Sequence, residues 1–438
     1  MKYSQFNSII PYADKFVLYN SFENKVIFLE SKLKDILMKE KDGCIDNLQT
    51  IHPSFFEYLV ENQFIVSTKI DELENVKKIV YETINNEETY ELTINPTLNC
   101  IFKCWYCYQE HIQSKMNKDT IGRVKQFISR ISQKEKLKLL QVCFFGGEPL
   151  IYFKQVIVPI METLIIETQK YKKELGIGFT TNGYLIDDKF INYLKEKKIK
   201  PLFQITLDGY KDAHDKVRYI NKEKSTYYHI INNIKKLVEN EMFVYVRINY
   251  TAENVRDTYK IAADLSIIDK EFGKEYMIVD FHRVWQDNQK DDTNFIVDRN
   301  IEIFKENGVN AKLTDYSPNN MRYSCYADKR NSAQINFNGD VFKCTARDLK
   351  TESRDGFIDE NGNIVWENNS LEKRMNAKFH NKPCLSCRLL GICNGGCSQH
   401  ALDNLNKQDY CIYFLDEKEK DKVVKKKVDL ILQENAKK

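Results

Sequence analysis

Three cysteines stand close together in Asn99-Cys-Ile-Phe-Lys-Cys-Trp-Tyr-Cys-Tyr108, spaced CxxxCxxC at Cys100, Cys104 and Cys107. Thiolates are soft ligands that suit iron–sulfur clusters and zinc alike. Three of them can hold only three irons of a four-iron cubane, so the fourth iron must take its ligand from elsewhere. Such an open iron is a place where a small molecule can bind and receive an electron. The same spacing also serves an incomplete zinc site.

The triplet follows the strand-like run Tyr90–Asn95, and a second such run, Leu139–Phe145, leads into Gly146-Gly147-Glu148-Pro149. Glycines let backbone approach a ligand, and a carboxylate accepts from an ammonium group. A CxxxCxxC loop after one strand with Gly-Gly-Glu-Pro after the next resembles the radical S-adenosylmethionine (SAM) enzymes, and Tyr106 matches that family's aromatic before the third cysteine. The resemblance implies that the amino and carboxylate groups of SAM chelate the open iron of a [4Fe–4S] cluster. An electron then breaks the sulfonium bond, and a 5′-deoxyadenosyl radical abstracts hydrogen from the substrate. A carbon radical needs a dry pocket; Ile101, Phe102 and Trp105 fit that need and an ordinary core equally well.

These groups need a scaffold. Leu175–Asn182, Leu202–Leu207, Phe243–Asn249 and Tyr276–Phe281 are further β-rich runs, each separated by a helix-length segment. Strand alternating with helix predicts parallel β/α units, and six strands predict an α/β fold built as a partial (β/α)6 TIM-like barrel. Ligands gather at the carboxyl ends of such strands, where Gly147, Glu148, Thr181, Asn182, Thr206, Asp208 and Asn249 fall. By the resemblance, Gly146, Gly147 and Glu148 match the methionine-amine motif. Thr206 and Arg218 look like the pair that touches the ribose and the methionine carboxylate, with Tyr106, Asn182 and Asp208 among the cofactor contacts and Val279 against the adenine. By residue type alone, an arginine fork fits a carboxylate but also makes surface ion pairs, and a strand valine also belongs in a core.

Seven more cysteines crowd the last third: Cys325, Cys344, Cys384, Cys387, Cys393, Cys397 and Cys411. A pair of zinc ribbons is one reading. The order C-x13-G-x4-C (through Gly339), then CxxCx5CxxxC, then C, is similar to the SPASM domain of one radical SAM branch. That resemblance implies two auxiliary [4Fe–4S] clusters. Cys384, Cys387, Cys393 and Cys411 would fill one, while Cys325, Cys344 and Cys397 would hold three irons of the other. The eighth iron would then stay open or take a non-cysteine ligand. Cys44 and Cys143 stand outside this scheme.

The first ninety residues read as a hairpin (Phe16–Asn20, Lys25–Glu30), helices over Lys32–Lys39 and Pro53–Glu61, a strand at Phe64–Ser67 and a linking helix over Glu72–Asn85. Helices with a small β-wing resemble the winged-helix element by which precursor-peptide-modifying enzymes capture a leader, through an exposed strand edge. A dimerisation or packing domain fits the same pattern. The expected domains are therefore 1–88, winged-helix-like with its linker; 89–310, the radical SAM barrel; and 311–438, the SPASM domain. An amphipathic helix from Asp416 is expected to cap the SPASM domain, and residues 286–294 to form a loop before a helix at Asp298–Glu306.

The opening Met1–Ser8 lacks an apolar signal-peptide core, and no window reads as long and apolar enough to span a bilayer, which predicts a cytoplasmic protein with reduced thiols and no membrane partner. With 66 basic against 63 acidic residues, no nucleic acid is implied. The SPASM branch implies a peptide-modifying oxidoreductase, a maturase of a ribosomally made precursor peptide with a leader (sactipeptide/ranthipeptide-type), served by a flavodoxin- or ferredoxin-type reductant. A rival in the same class is the anaerobic sulfatase maturase, which forms formylglycine. Those enzymes carry a general-base aspartate directly after the cysteine that aligns with Cys344; here Thr345 stands there, Asp348 lies further on, and the base is unassigned. An iron–sulfur electron carrier or zinc scaffold is the reading from another class, but a carrier needs no Gly-Gly-Glu-Pro pocket.

Overall fold

The computed structural model describes all residues except 221–223, 267–274, 288–292, 315–317, 319, 408, 414–415 and 437–438, so part of the expected 286–294 loop lies outside the described residues. The chain divides into two units: Met1–Asn86 with Tyr316–Arg330 and Leu371–Lys438, and Glu87–Asp315 with Asn331–Ser370.

In the first unit, β1 (Lys2–Tyr3) pairs with β5 (Ile65–Val66), and β2 (Asn7–Tyr12), β3 (Lys15–Asn20) and β4 (Lys25–Leu29) form an antiparallel sheet in that order. The β3–β4 hairpin forms as expected. Strand β2 is additional: Pro11 argues against a central strand, and β2 indeed lies at an edge, where a missing N–H is tolerated. Strand β3 is buried on both faces. Leu18 packs with Leu37, Leu48, Phe55, Leu59 and Phe64, whereas Val17 and Tyr19, one residue either side, pack with Ile10, Leu389, Ile392, Val423, Val424 and Val428. The helix Glu417–Ala436 therefore lays its valines on the β2–β3 face, because that face is apolar and needs cover.

The second unit carries one sheet. The six expected strands form as β6 (Thr89–Ile94), β7 (Leu139–Phe144), β8 (Glu174–Thr181), β9 (Leu202–Leu207), β10 (Phe243–Tyr250) and β11 (Met277–Arg283), all parallel and adjacent in sequence order. Two short parallel strands were not legible: β12 (Ala311–Leu313) beside β11 and β13 (Ser332–Ile335) beside β6. Beyond β13, β14 (Asp340–Phe342), β15 (Gly356–Ile358) and β16 (Ile364–Trp366) run antiparallel. The fold is α/β with a large, mostly parallel sheet.

Alternation sorts its faces. Tyr90, Leu92 and Ile94, with Leu140, Val142 and Phe144, join one apolar core with the flanking helices, while Glu91, Thr93, Gln141 and Cys143 take the other face. The helix segment Pro149–Lys170 has a mean hydropathy of 1.5 and is, against expectation, long and apolar enough by length and composition to cross a membrane. Its Ile160, Met161 and Leu164 are fully buried in the sheet's core, which accounts for their apolarity.

Candidate active site

The cysteine loop leaves the carboxyl end of β6 and is closed at its base: Thr97 Oγ1 donates to the Ser114 carbonyl at 2.6 Å, and the Leu98 N–H to Ser114 Oγ at 2.9 Å. Of its apolar residues, Phe102 is fully buried, Ile101 half-buried, and Trp105 58% exposed. Phe102 thus belongs to the core and Ile101 packs against it. Cys100 and Cys104 are half-buried and Cys107 is exposed. Burial pushes the Cys100 thiol up to about 12 and raises Cys104 and Cys107, so metal binding there must release protons.

Gly-Gly-Glu-Pro abuts this loop. Gly146 has φ +110°, and a Cβ there would lie 2.2 Å from the Thr97 carbonyl oxygen; one on Gly147 would lie 2.3 Å from that of Asn99. The Gly147 N–H donates to Thr97 O at 3.1 Å and the Glu148 N–H to Asn99 O at 2.8 Å. The glycines therefore allow close approach to the chain's own cysteine loop. The Glu148 carboxylate, fully buried, accepts from Leu150 N (3.0 Å), Thr181 Oγ1 (2.8 Å) and Asn182 N (2.8 Å). Burial raises its pKa, against the pull of those donors. Asn182 Nδ2 in turn lies 3.9 Å from Cys100 Sγ. Three strand ends are locked around Cys100.

A second knot forms at β9 and β10. Arg218 Nε donates to Asp208 Oδ2, and Arg218 Nη2 to the Tyr106 hydroxyl at 2.9 Å; that hydroxyl donates to Asp208 Oδ1 and accepts from Asn249 Nδ2 at 2.9 Å. Burial disfavours the Arg218 charge, but Asp208 and Tyr106 outweigh it and hold the guanidinium protonated. His214 Nδ1 accepts from the Asp208 N–H at 3.2 Å, and burial first, then Arg218, holds its pKa well below the ordinary value.

The sequence thus brings Tyr106, Asp208 and Arg218 together, and Glu148 with Asn182. Thr206, paired in register with Arg247, joins neither knot, and Val279 is fully buried in the apolar core. His214 was missed, as was His111, whose Nε2 lies 3.3 Å from Cys107 Sγ; its only signal is the four-residue spacing. A cavity of about 820 Å³ opens at these strand ends, lined by Trp105, Tyr106, Asp208, Thr251, Val284 and Gln286 among others. That is a size typical of small-molecule sites.

In the first unit, Cys384, Cys387, Cys393 and Cys411 line one cavity with Leu389, Leu390, Ile412, Tyr413 and Lys420. This is the set that the sequence resemblance assigns to one cluster. Burial pushes Cys384 up to about 11 and Cys393 to about 12. Nearby, Lys378 and Asp328 form a buried ion pair at 2.6 Å, with Asn394 and Ser324 bonded to it. Cys325 and Cys397 belong to this unit, Cys344 to the other. Among the described residues, no three His, Cys, Asp or Glu side chains converge as ligands of a single ion.

Residues 94–265 match the radical SAM superfamily profile. A cysteine-type anaerobic sulfatase-maturating enzyme of Clostridium novyi (strain NT) is 28% identical over 173 residues, 37% of this chain and 44% of that enzyme. A GTP 3′,8-cyclase of Clostridium botulinum is 27% identical over 153 residues, 35% of this chain and 43% of that one, so the chain spans less than half the length of these curated relatives. In structure, the chain is similar to anSMEcpe with bound AdoMet (TM-score 0.55, 18% identity, 74% of this chain and 93% of that one). It is also similar to Streptococcus suis SuiB bound to its precursor peptide SuiA (TM-score 0.52, 18% identity, 95% of this chain and 99% of that one). At that identity the likeness shows the fold. The profile match, the fold and the cysteine loop at the end of β6 agree: residues 94–265 form a radical SAM domain.

Proposed function

We propose that this protein is a radical SAM/SPASM maturase that modifies a ribosomally made, leader-bearing precursor peptide in the cytoplasm, fed by a flavodoxin- or ferredoxin-type reductant. Cys100, Cys104 and Cys107 would hold the SAM-binding [4Fe–4S] cluster. Cys384, Cys387, Cys393 and Cys411 would hold one auxiliary cluster. When bound, the first cluster and SAM supply a 5′-deoxyadenosyl radical. The observation that carries the reading is the cavity lined by four cysteine thiols in a chain that also carries the CxxxCxxC loop.

The protein's own contribution is preorganisation. Asp208 and Tyr106 hold the Arg218 guanidinium in place, so a carboxylate arriving at the strand ends meets an oriented cation. Glu148, Thr181 and Asn182 keep the cysteine loop and the end of β8 in register for the methionine end of SAM. In the first unit, β4 is an edge strand whose Phe28 is 45% exposed, a suitable edge for adding a leader as an extra strand.

The identity to the Clostridium novyi enzyme favours a second reading, a sulfatase maturase; Thr345 in place of the expected aspartate speaks against it. The test is mass spectrometry of candidate substrates after anaerobic turnover with SAM. A peptide encoded beside the gene that loses hydrogen mass supports the maturase of a precursor peptide. Conversion of a sulfatase-derived cysteine to formylglycine, with no change in the neighbouring peptide, would replace it.

A further inference from the structure

We propose that His111 tunes the reduction potential of the SAM-binding cluster by donating a hydrogen bond from Nε2–H to the sulfur of Cys107. The inference rests on the reading that Cys107 is a cluster ligand. His111 Nε2 lies 3.3 Å from Cys107 Sγ, four residues along the same loop. The backbone that carries the ring is tied down: Ile112 N donates to Glu110 O at 3.1 Å, Ser114 Oγ to Ile112 O at 3.2 Å, and Ser114 closes the loop onto Thr97 and Leu98. The imidazole is thus presented to the sulfur by a braced segment.

Chemistry sets the direction. A thiolate sulfur has no proton to give, so the ring must place its N–H on Nε2 and keep its lone pair on Nδ1. A donor to a ligating sulfur draws negative charge off the cluster and stabilises the reduced form, which raises the potential. Cys107 is the exposed member of the triplet, whereas Cys100, half-buried, already accepts from the Phe102 N–H at 3.4 Å. The Gln109 main-chain N–H also reaches the sulfur of Cys107, so His111 adds a side-chain donor to a backbone one. No family residue assigned above supplies this contact, and the ring neither replaces a cysteine nor touches the Tyr106–Asp208–Arg218 knot.

The test is an EPR-monitored redox titration of the reconstituted full chain, reading only the reduced-cluster signal that changes when SAM is added. His111→Leu, which keeps apolar bulk without a donor, should shift the midpoint to more negative potential. His111→Gln, which restores an N–H, should move it back toward wild type. His111 is half-exposed, so both variants should fold and reconstitute with wild-type iron content. A His111→Leu midpoint equal to wild type, with the SAM-responsive signal intact, would overturn the proposal. If the wild-type protein shows no SAM-responsive signal, the assignment of Cys107 fails and the role of His111 falls with it.

Discussion

Glu148 binds Asn182 and Asn99 at once: its Oε2 accepts the Asn182 main-chain N–H at 2.8 Å, while its own N–H donates to the Asn99 carbonyl at 2.8 Å. One buried residue thereby ties the end of β8 to the first residue of the cysteine loop. Glu148→Ala leaves the Asn182 and Leu150 N–H groups buried without partners, at about 1–3 kcal/mol each. We expect about 3 kcal/mol of lost stability in urea denaturation of the iron-free protein, and reduced iron uptake on reconstitution. Unchanged values for both would mean that the carboxylate is not a brace.

The glycines that carry this contact are predicted to be irreplaceable for steric reasons. Gly147→Ala puts a methyl 2.3 Å from a main-chain oxygen that cannot swing away, so it should cost about 1–3 kcal/mol and displace the loop. Gly122→Ala is the internal control. It lies within the helix Lys118–Ser132 with nothing within 4 Å of the added carbon, and should stabilise by about 0.5–1 kcal/mol. Thermal melts of the two variants should move in opposite directions.

Truncating one partner of the Asp208–Arg218 pair should be harsher than removing the hydroxyl that links them. Both side chains are nearly buried, so Asp208→Ala leaves an uncompensated cation and should cost about 3–5 kcal/mol. Tyr106→Phe removes only hydrogen bonds and should cost about 1–2 kcal/mol. Chemical denaturation of both variants checks the order; a larger loss for Tyr106→Phe would contradict it.

His214 makes stability depend on pH. Its folded pKa lies well below the ordinary 6.5, so below pH 6.5 the unfolded chain binds a proton that the folded chain does not. The contribution of a neutral His214 is thus fully present above 6.5 and falls by about 1.4 kcal/mol per pH unit below it, until the folded pKa is reached. His214→Asn should flatten the stability profile between pH 6.5 and 5; an unchanged slope would sink the assignment.

Much of the parallel sheet was legible because β6 to β11 are β-rich runs of six to eight residues, with clean alternation in β6, β7 and β9. Strands β12 and β13 escaped because three or four residues hold too little pattern to mark a strand. The C-terminal helix showed its valine stripe in the sequence, but what covers β3 depends on Val17 and Tyr19 being buried opposite Leu18, which only the fold reveals. At the site, residue types were readable and their partners were not. Gly146 and Gly147 announced a close approach without saying that the approaching group is Thr97 and Asn99 of the same chain. Glu148 read as an acceptor for an ammonium, and the structure gives it Leu150, Thr181 and Asn182 as donors. Asn249 was legible as a strand-end residue but not as a partner of the Tyr106 hydroxyl, and His111 carried no motif, since its contact with Cys107 is set by the loop's path.

The central claim is that the triplet at the end of β6 holds a SAM-cleaving cluster. The most direct test is 5′-deoxyadenosine release after anaerobic reconstitution with iron and sulfide, reduction and addition of SAM. The wild-type protein should release it, and Cys104→Ala should abolish release while leaving the auxiliary iron in place. Undiminished release from Cys104→Ala, or none from a wild-type protein with full iron content, would contradict the account.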